Sequence, residues 1–405
     1  MKLIGSGVLR VFLSVIAFTL TAFSYVPAQA TEKVLYTFPG GSDGGSPYAG
    51  LTPDSKGNLY GTAVTGGAGF SGIVFELTPN SNGSWTEQVL YNFTGFMGTT
   101  DGAEPYGGVT FDGEGNLYGT TAFAGPNENG TIFELSPGLN GTWSEKVLYG
   151  FAAGSDGGTP YFGVALDSAG DLYGTTTSGG AEGFGTVFQL APSASGAWTK
   201  KILHNFTGAD DGNQPFSRLV FDAVGNLYGS TFYGGLHDYG VVFQLTPESN
   251  GMWTEKVVHA FTGGAGGLGS IGGLAFDHGG NLFAEASYSV LEFSPSSGGT
   301  WTVKDVHDFT GGSDGAWAEG GLALDNAGNL YGVSNTGGKH RGTVFELTPS
   351  TNGTWTEKIL HSFTGGSDGN FPEFNYLYVD ANGNIYGTTP LGGASGLGVI
   401  FEVSP

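Results

Sequence analysis

No cysteine occurs in this 405-residue sequence, which excludes a disulfide framework and attachment through a lipidated cysteine. Basic residues are scarce, with 13 Lys and Arg against 36 Asp and Glu. Such a surface repels phosphate backbones, so no nucleic-acid partner is expected. Long apolar runs are missing too. The nearest to one, "VFLSVIAFTLTAF" at 11–23, has 13 residues, short of the ~20 that span a bilayer. It follows Lys2 and Arg10 and precedes Ala28-Gln29-Ala30, the order of a secretory leader with a small-residue cleavage site. Residues 1–30 therefore read as a signal peptide cut after Ala30, leaving no membrane span. The remaining chain carries 11 basic and 36 acidic side chains, a formal charge of −25, which suits solubility in a periplasmic or extracellular setting.

What is plentiful is glycine, with 77 residues, and repetition. Interior glycines disfavour long helices by roughly 1 kcal/mol each relative to alanine. Apolar residues at 39% and aromatics at 14% still supply a core. A tryptophan recurs at 85, 143, 198, 253, 301 and 355, at spacings of 58, 55, 55, 48 and 54. Each opens an alternating stretch such as "WTEQVLYNF" (85–93), here termed strand D. A Gly/Asp loop follows, then a short strand A ending at Asp54, Asp112, Asp167, Asp222, Asp277, Asp325 or Asp380. A "DxxGN"-like turn, with a left-handed glycine and an Asx bond, leads into strand B, "NLYGT" (58–62) and its relatives. Strand C is "GIVFEL" (72–77), "GTVFEL" (342–347) and their counterparts.

Four short antiparallel strands repeated seven times predict an all-β, seven-bladed β-propeller over residues 31–405. A solenoid has the same local pattern, but the ends argue for a ring. "TEKVLYTF" (31–38) is a strand D without its A, B and C, and "GVIFEVSP" (398–405) is a strand C without its D. Pairing them completes the last blade and removes two exposed sheet edges. On this fold the strand-D Trp and Phe fill the spaces between blades. His204, His259, His307 and His361, in the slot of Tyr36, Tyr91 and Tyr149, are spread round the ring and do not converge on a metal. The Glu or Gln of strand C is expected to make one internal hydrogen bond seven times.

"GNLYGTT", "GTVFELTP" and "WTEKVLYxF", spaced in this way, resemble the choice-of-anchor tandem repeat family, whose repeat is called GloVer. The likeness covers nearly the whole chain after the leader. It implies an exported repeat protein without an established activity, often with a C-terminal sorting anchor. This chain ends at Pro405 without an apolar tail or basic stop, so anchoring by that route is not expected. The "DxxGNLY" turn is also similar to NHL-type propellers, which reflects a shared hairpin.

Several motifs imitate chemistry. GxSxG fits residues 40–44, 311–315 and 365–369, but a nucleophile elbow needs a strand before the serine and a helix after it. GxGxxG at 67–72 and 267–272 opens no helix, so no dipole awaits a phosphate. Asp43, Asp101, Asp156, Asp210, Asp211, Asp314 and Asp368 recur in the D–A loops. Calcium wants six to eight oxygens and each loop offers about one carboxylate, so turn formation is the reading preferred. Six Asn-x-Ser/Thr sequons come with the repeat. No catalytic residue, metal ligand or cofactor is assigned.

A unique function belongs where one copy departs from the others, on the face bearing the long D–A and B–C loops. From the strand-B Asn or Asp to the strand-C Phe there are 17 residues in five blades and 16 in blade 6, but only 10 in blade 5, from Asn281 to Leu291. Beside this notch lie His237, Asp238 and Tyr239 in blade 4, and Lys339, His340 and Arg341 in blade 6. Arg218 replaces a glycine near the channel mouth, and Trp317 and Glu319 precede blade 6. With Glu285, these are the candidate ligand-binding residues. The expected function is binding of an extracellular carbohydrate, peptide or partner protein by a non-enzymatic monomer, the basic cluster favouring an acidic ligand. Two alternatives stand beside it: a polysaccharide hydrolase or lyase using Glu285 with Glu319, and a passive envelope component.

Overall fold

The turn between strands A and B shows how each repeat becomes a sheet. Asp54 accepts the backbone N–H groups of Lys56 (2.8 Å) and Asn58 (2.9 Å) and the Asn58 side-chain amide (2.9 Å). Gly57 between them has φ +86°, a conformation costly to any residue with a Cβ. The same pair of backbone bonds recurs at Asp112, Asp167, Asp222, Asp325 and Asp380.

The computed structural model describes residues 30–263, 272–374 and 376–405. Residues 1–29, nearly all of the expected leader, lie outside the described residues, as does the GxGxxG match up to residue 271. The chain forms a seven-bladed β-propeller of antiparallel sheets. Blade 1 runs Thr52–Pro53, Leu59–Ala63, Ile73–Pro79 and Trp85–Asn92 from inside to outside. Blade 4 carries one additional short strand, Asn213–Pro215, paired with its strand B. In blade 7, Thr31–Thr37 supplies the outer strand beside Val399–Ser404, with Thr31 opposite Ser404 and Val34 opposite Phe401. The N-terminal strand therefore closes the ring. Among the described residues, no helix is long and apolar enough to cross a membrane.

Every C–D pair carries a bulge at one place, between Val34 and Tyr36 in blade 7 and at Val74/Phe75 in blade 1. The extra residue, Leu35 or Leu90, turns into the core. Seven apolar clusters result among the described residues, each shared by two neighbouring blades. The Phe that ends strand D meets the strand-C Phe of the next blade, with ring centroids 5.1–5.4 Å apart in six of the seven junctions. Each strand-D Trp lies half-buried against the strand-B aromatic of the preceding blade, as Trp85 does on Tyr386.

The strand-C acid or amide does not repeat one bond. Glu76 accepts from the Tyr60 hydroxyl (2.8 Å), Glu134 from Ser136 (3.0 Å), and Gln189 donates to Asp171 (2.6 Å). This side chain lies partly open to solvent between strands B and D, so it takes whichever partner each copy offers.

The seam depends on Phe38, fully buried and packed on Phe75. Phe38→Ala is expected to cost about 3–5 kcal/mol in urea unfolding, matching Phe363→Ala in the uninterrupted part of the ring. A loss below about 1 kcal/mol for Phe38→Ala alone would show that the closing strand does not hold the ring.

Candidate functional site

Four residues before the strand-A Asp, five blades have glycine; blade 4 has Arg218 and blade 7 has Tyr376. Both side chains lie within the channel. The Tyr376 ring lies where a Cβ on Gly273 or Gly321 would sit, so those positions exclude a side chain. Its hydroxyl accepts the Arg218 N–H at 2.8 Å, and the Arg218 guanidinium donates to Thr110 Oγ1 at 3.1 Å. Burial pushes the Tyr376 phenol up, so it stays protonated. Blades 2, 4 and 7 are thereby tied across the ring, and the charge of Arg218 points down the channel rather than out to the rim.

Above this crosslink, six residues before the same Asp, stand Tyr48, Tyr106, Tyr161, Phe216 and Phe374. Their rings form a closed circuit with successive centroids 5.3, 5.0, 5.4, 5.5 and 6.0 Å apart. They cap the channel and floor an open depression edged by Thr177, Ser178, Gln214 and Glu373. Burial raises the Glu373 carboxyl, and likewise Glu104 beside Tyr106. Sequence reasoning missed this floor. Its signal is the aromatic at one fixed distance from a repeated Asp, visible only once the D–A loops are aligned on that Asp.

Blade 6 has Glu319 in the aromatic position. Glu319 is buried, and its pKa rises to about 7 through burial and then the charge of Glu373. Glu285 on strand B of blade 5 faces it, wholly buried, and is pushed up to about 8 by burial and then by Glu319. The N–H groups of Gly320 and Val333 approach Glu285 and lower it somewhat, but neither carboxyl oxygen has a well-formed hydrogen bond. A general acid must reach its substrate, and Glu285 is sealed from solvent. Blade 5 turns from strand B to strand C through Ser287 and Tyr288 alone, and Tyr288 packs on Trp317 (5.6 Å between centroids). Glu285, Trp317 and Glu319 thus share the junction of blades 5 and 6.

The other candidates flank it at separate junctions. Asp238 accepts the Gly234 N–H (3.0 Å), and Tyr239 packs over Gly263 where blade 4 meets blade 5; His237 lies exposed beside them. Arg341 lies over the Phe371 ring (5.9 Å) where blade 6 meets blade 7, with Lys339 and His340 exposed alongside.

The four strand-D histidines stay apart: His204, His307 and His361 lie against acids of their own blade junctions, and His259 packs on Phe261 and Phe293. His204 lies 3.1 Å from Asp211, and His361 3.3 Å from Asp368. His307, Asp314 and Glu357 bring their ligand atoms within 4.8 Å of one another, a set that could hold a metal ion. That trio is a version of a recurring contact in which a strand-D Glu faces the loop Asp of the preceding blade. Glu32, Glu87, Glu145, Glu255 and Glu357 are each raised to about 7, first by burial and then by the charge of Asp368, Asp43, Asp101, Asp211 and Asp314 respectively. Lys200 takes the place of the Glu once, and its ammonium sits 2.9 Å from Asp156.

Residues 87–292 and 289–405 match the Gloeobacter/Verrucomicrobia repeat. The chain belongs to this repeat family. No curated protein matches it. Among solved structures, virginiamycin B lyase from Staphylococcus aureus superposes with a TM-score of 0.56 at 12% identity, over 93% of this chain and 99% of the lyase. A catalytically inactive form of that lyase with quinupristin gives 0.56 at 14% identity over the same shares. PorZ, a surface component of the type-IX secretion system of Porphyromonas gingivalis, gives 0.52 at 16% identity over 91% of this chain and 47% of PorZ. At these identities the likeness is one of fold. The repeat family and the propeller therefore agree, and neither assigns a site.

The Glu–Asp contacts make stability depend on pH with a definite sign. Glu145 binds its proton more tightly folded than unfolded, so its contribution is complete below the unfolded value of 4.5 and is lost as pH rises through about 7. Glu145→Gln is expected to match the parent near about pH 4.5 and to exceed it by about 1 kcal/mol near about pH 8, the linkage value being reduced for partial exposure. Denaturant unfolding at the two pH values checks this, and equal differences at both would remove the carboxyl pair as the cause.

Proposed function

We propose that the protein is an exported, non-catalytic propeller that binds a carbohydrate on the aromatic floor of its long-loop face. The circuit of five aromatic rings is the observation that carries this reading. Aromatic faces stack against the C–H faces of sugars, while Thr177, Ser178, Gln214 and Glu373 at the edge offer hydroxyl, amide and carboxyl partners for sugar hydroxyls. Export rests on the leader-like residues 1–30. A neutral sugar fits better than an acidic one. Arg218 is engaged inside the channel, Lys339 and Arg341 lie at the blade 6–7 junction, and carboxyls surround the floor. The burial of Glu285 weighs against hydrolysis by a Glu285–Glu319 pair.

The test is a glycan array followed by calorimetry on the best neutral ligand. Tyr106→Ala with Tyr161→Ala is expected to weaken binding at least tenfold, about 1.4 kcal/mol, while Arg341→Ala leaves it unchanged. Equal affinity in the tyrosine double variant would place the site elsewhere. Dependence on Arg341 would restore the acidic ligand, and no bound glycan at all would favour a peptide, a partner protein or a passive envelope role.

A further inference from the structure

Four polar side chains, two of them departures from the repeat, meet where blade 5 packs on blade 6. In blades 1, 2 and 7 a buried strand-B threonine, Thr62, Thr120 or Thr388, donates to a backbone carbonyl of the next blade at 3.0 Å. Blade 5 has Glu285 at that position, so the hydroxyl donor is replaced by a carboxyl with two acceptor oxygens. Where five blades have an aromatic residue, blade 6 has Glu319. Two residues further along strand B, where blades 1 and 2 have Val64 and Ala122, blades 5 and 6 have Ser287 and Asn335.

These side chains are almost wholly enclosed. Glu285 is 0% exposed, Ser287 1%, Asn335 4% and Glu319 7%. The Asn335 amide donates to Glu319 Oε2 at 2.8 Å, and the Ser287 carbonyl accepts the N–H of Ala318, the neighbour of Glu319, at 3.0 Å. Oε1 of Glu319, Oδ1 of Asn335 and Oγ of Ser287 have no hydrogen-bond partner, and the two oxygens of Glu285 have only the loosely placed N–H groups of Gly320 and Val333. Buried polar atoms are ordinarily paired, and this gathering of under-satisfied oxygens at one junction points to an occupant. Protons on the carboxyls serve some of these oxygens, whereas one cation between the carboxylates satisfies several of them at once.

We infer that this junction is a binding site for one hard divalent cation, held by the carboxylates of Glu285 and Glu319 with Asn335 Oδ1 and Ser287 Oγ beside them. The donors are all oxygens, with no sulfur or imidazole, which selects the class of Ca²⁺, Mg²⁺ and Mn²⁺ over zinc or copper. Two carboxylates balance the double positive charge. Four residues do not complete the coordination of Ca²⁺, so water supplies the remainder. Among the described residues, the shortened loop of blade 5 sets Tyr288 against Trp317 at this junction. The site lies beside the aromatic floor and stands independently of what binds there.

The test uses the purified protein, freed of metal with a chelator and titrated with Ca²⁺ or Mn²⁺ in the absence of any sugar, by calorimetry and native mass spectrometry. One equivalent of bound ion and a raised melting temperature are expected. Glu285→Thr, which restores the residue of blades 1 and 2, and Glu319→Tyr are each expected to weaken that binding at least tenfold, while Glu87→Gln at another blade junction leaves it unchanged. The absence of stoichiometric binding of Ca²⁺, Mg²⁺ and Mn²⁺ to the parent would overturn the inference, as would binding that survives both substitutions. If the variants fail to fold, the parent decides: a melting temperature indifferent to added ion overturns the site. Because no sugar is present, the result is separate from the success or failure of glycan binding.

Discussion

The packing of one blade on the next is the interaction on which the rest of this protein depends. A four-stranded sheet of two- to eight-residue strands has too little apolar surface to be stable by itself, and each blade here buries its faces only against its neighbours. The fully buried Phe at the end of strand D carries that contact from blade to blade, and Phe38 carries it across the one place where the chain is not continuous. Removing a blade face leaves two apolar surfaces in water, so the ring gains its stability when the seam closes.

Closure also frees the inner and upper positions for other purposes. Most blades bring a glycine to the channel wall, which leaves room for two large side chains, Tyr376 and Arg218, to cross it and bond to each other. The aromatic rings above rest on this crosslink as a rigid floor. A floor fixed by packing loses little conformational entropy when a ligand lands on it, which is the property a binding surface needs. Burial raises the carboxyls gathered round it, Glu373 and Glu104 among them and Glu319 to about 7, so their charged forms are disfavoured at the mouth.

Departures from the repeat have different consequences at different depths. On the rim, substitutions such as those at Lys339 and His340 stand in solvent and alter little beyond local charge. In the interior, replacing a threonine by Glu285 removes a bond between blades and puts an acid where water cannot reach it, a change costly enough to need compensation. Lys200 is an instance in which compensation is visible, its ammonium taking the place of an acid beside Asp156 and lying over the Tyr149 and Phe151 rings.

Periodicity alone determined the number of blades, the order of the strands, the Asx turns and the closure of the ring by residues 31–38, because each follows from a pattern local in sequence and repeated seven times. The notch of blade 5 was equally legible, since a loop shorter by several residues is a difference in counting. Which candidates meet was not legible. Sequence places Arg218 near the channel mouth, and only the structure shows that Tyr376, more than 150 positions away, holds it inside the channel. The five aromatics occupy one repeat position in five blades, and only the radius of the closed ring brings their centroids within 6.0 Å of one another in sequence around the mouth. Local pattern sets which way a side chain points from its own strand, whereas the distance between side chains on different blades is set by how the blades pack, and that is a property of the assembled ring.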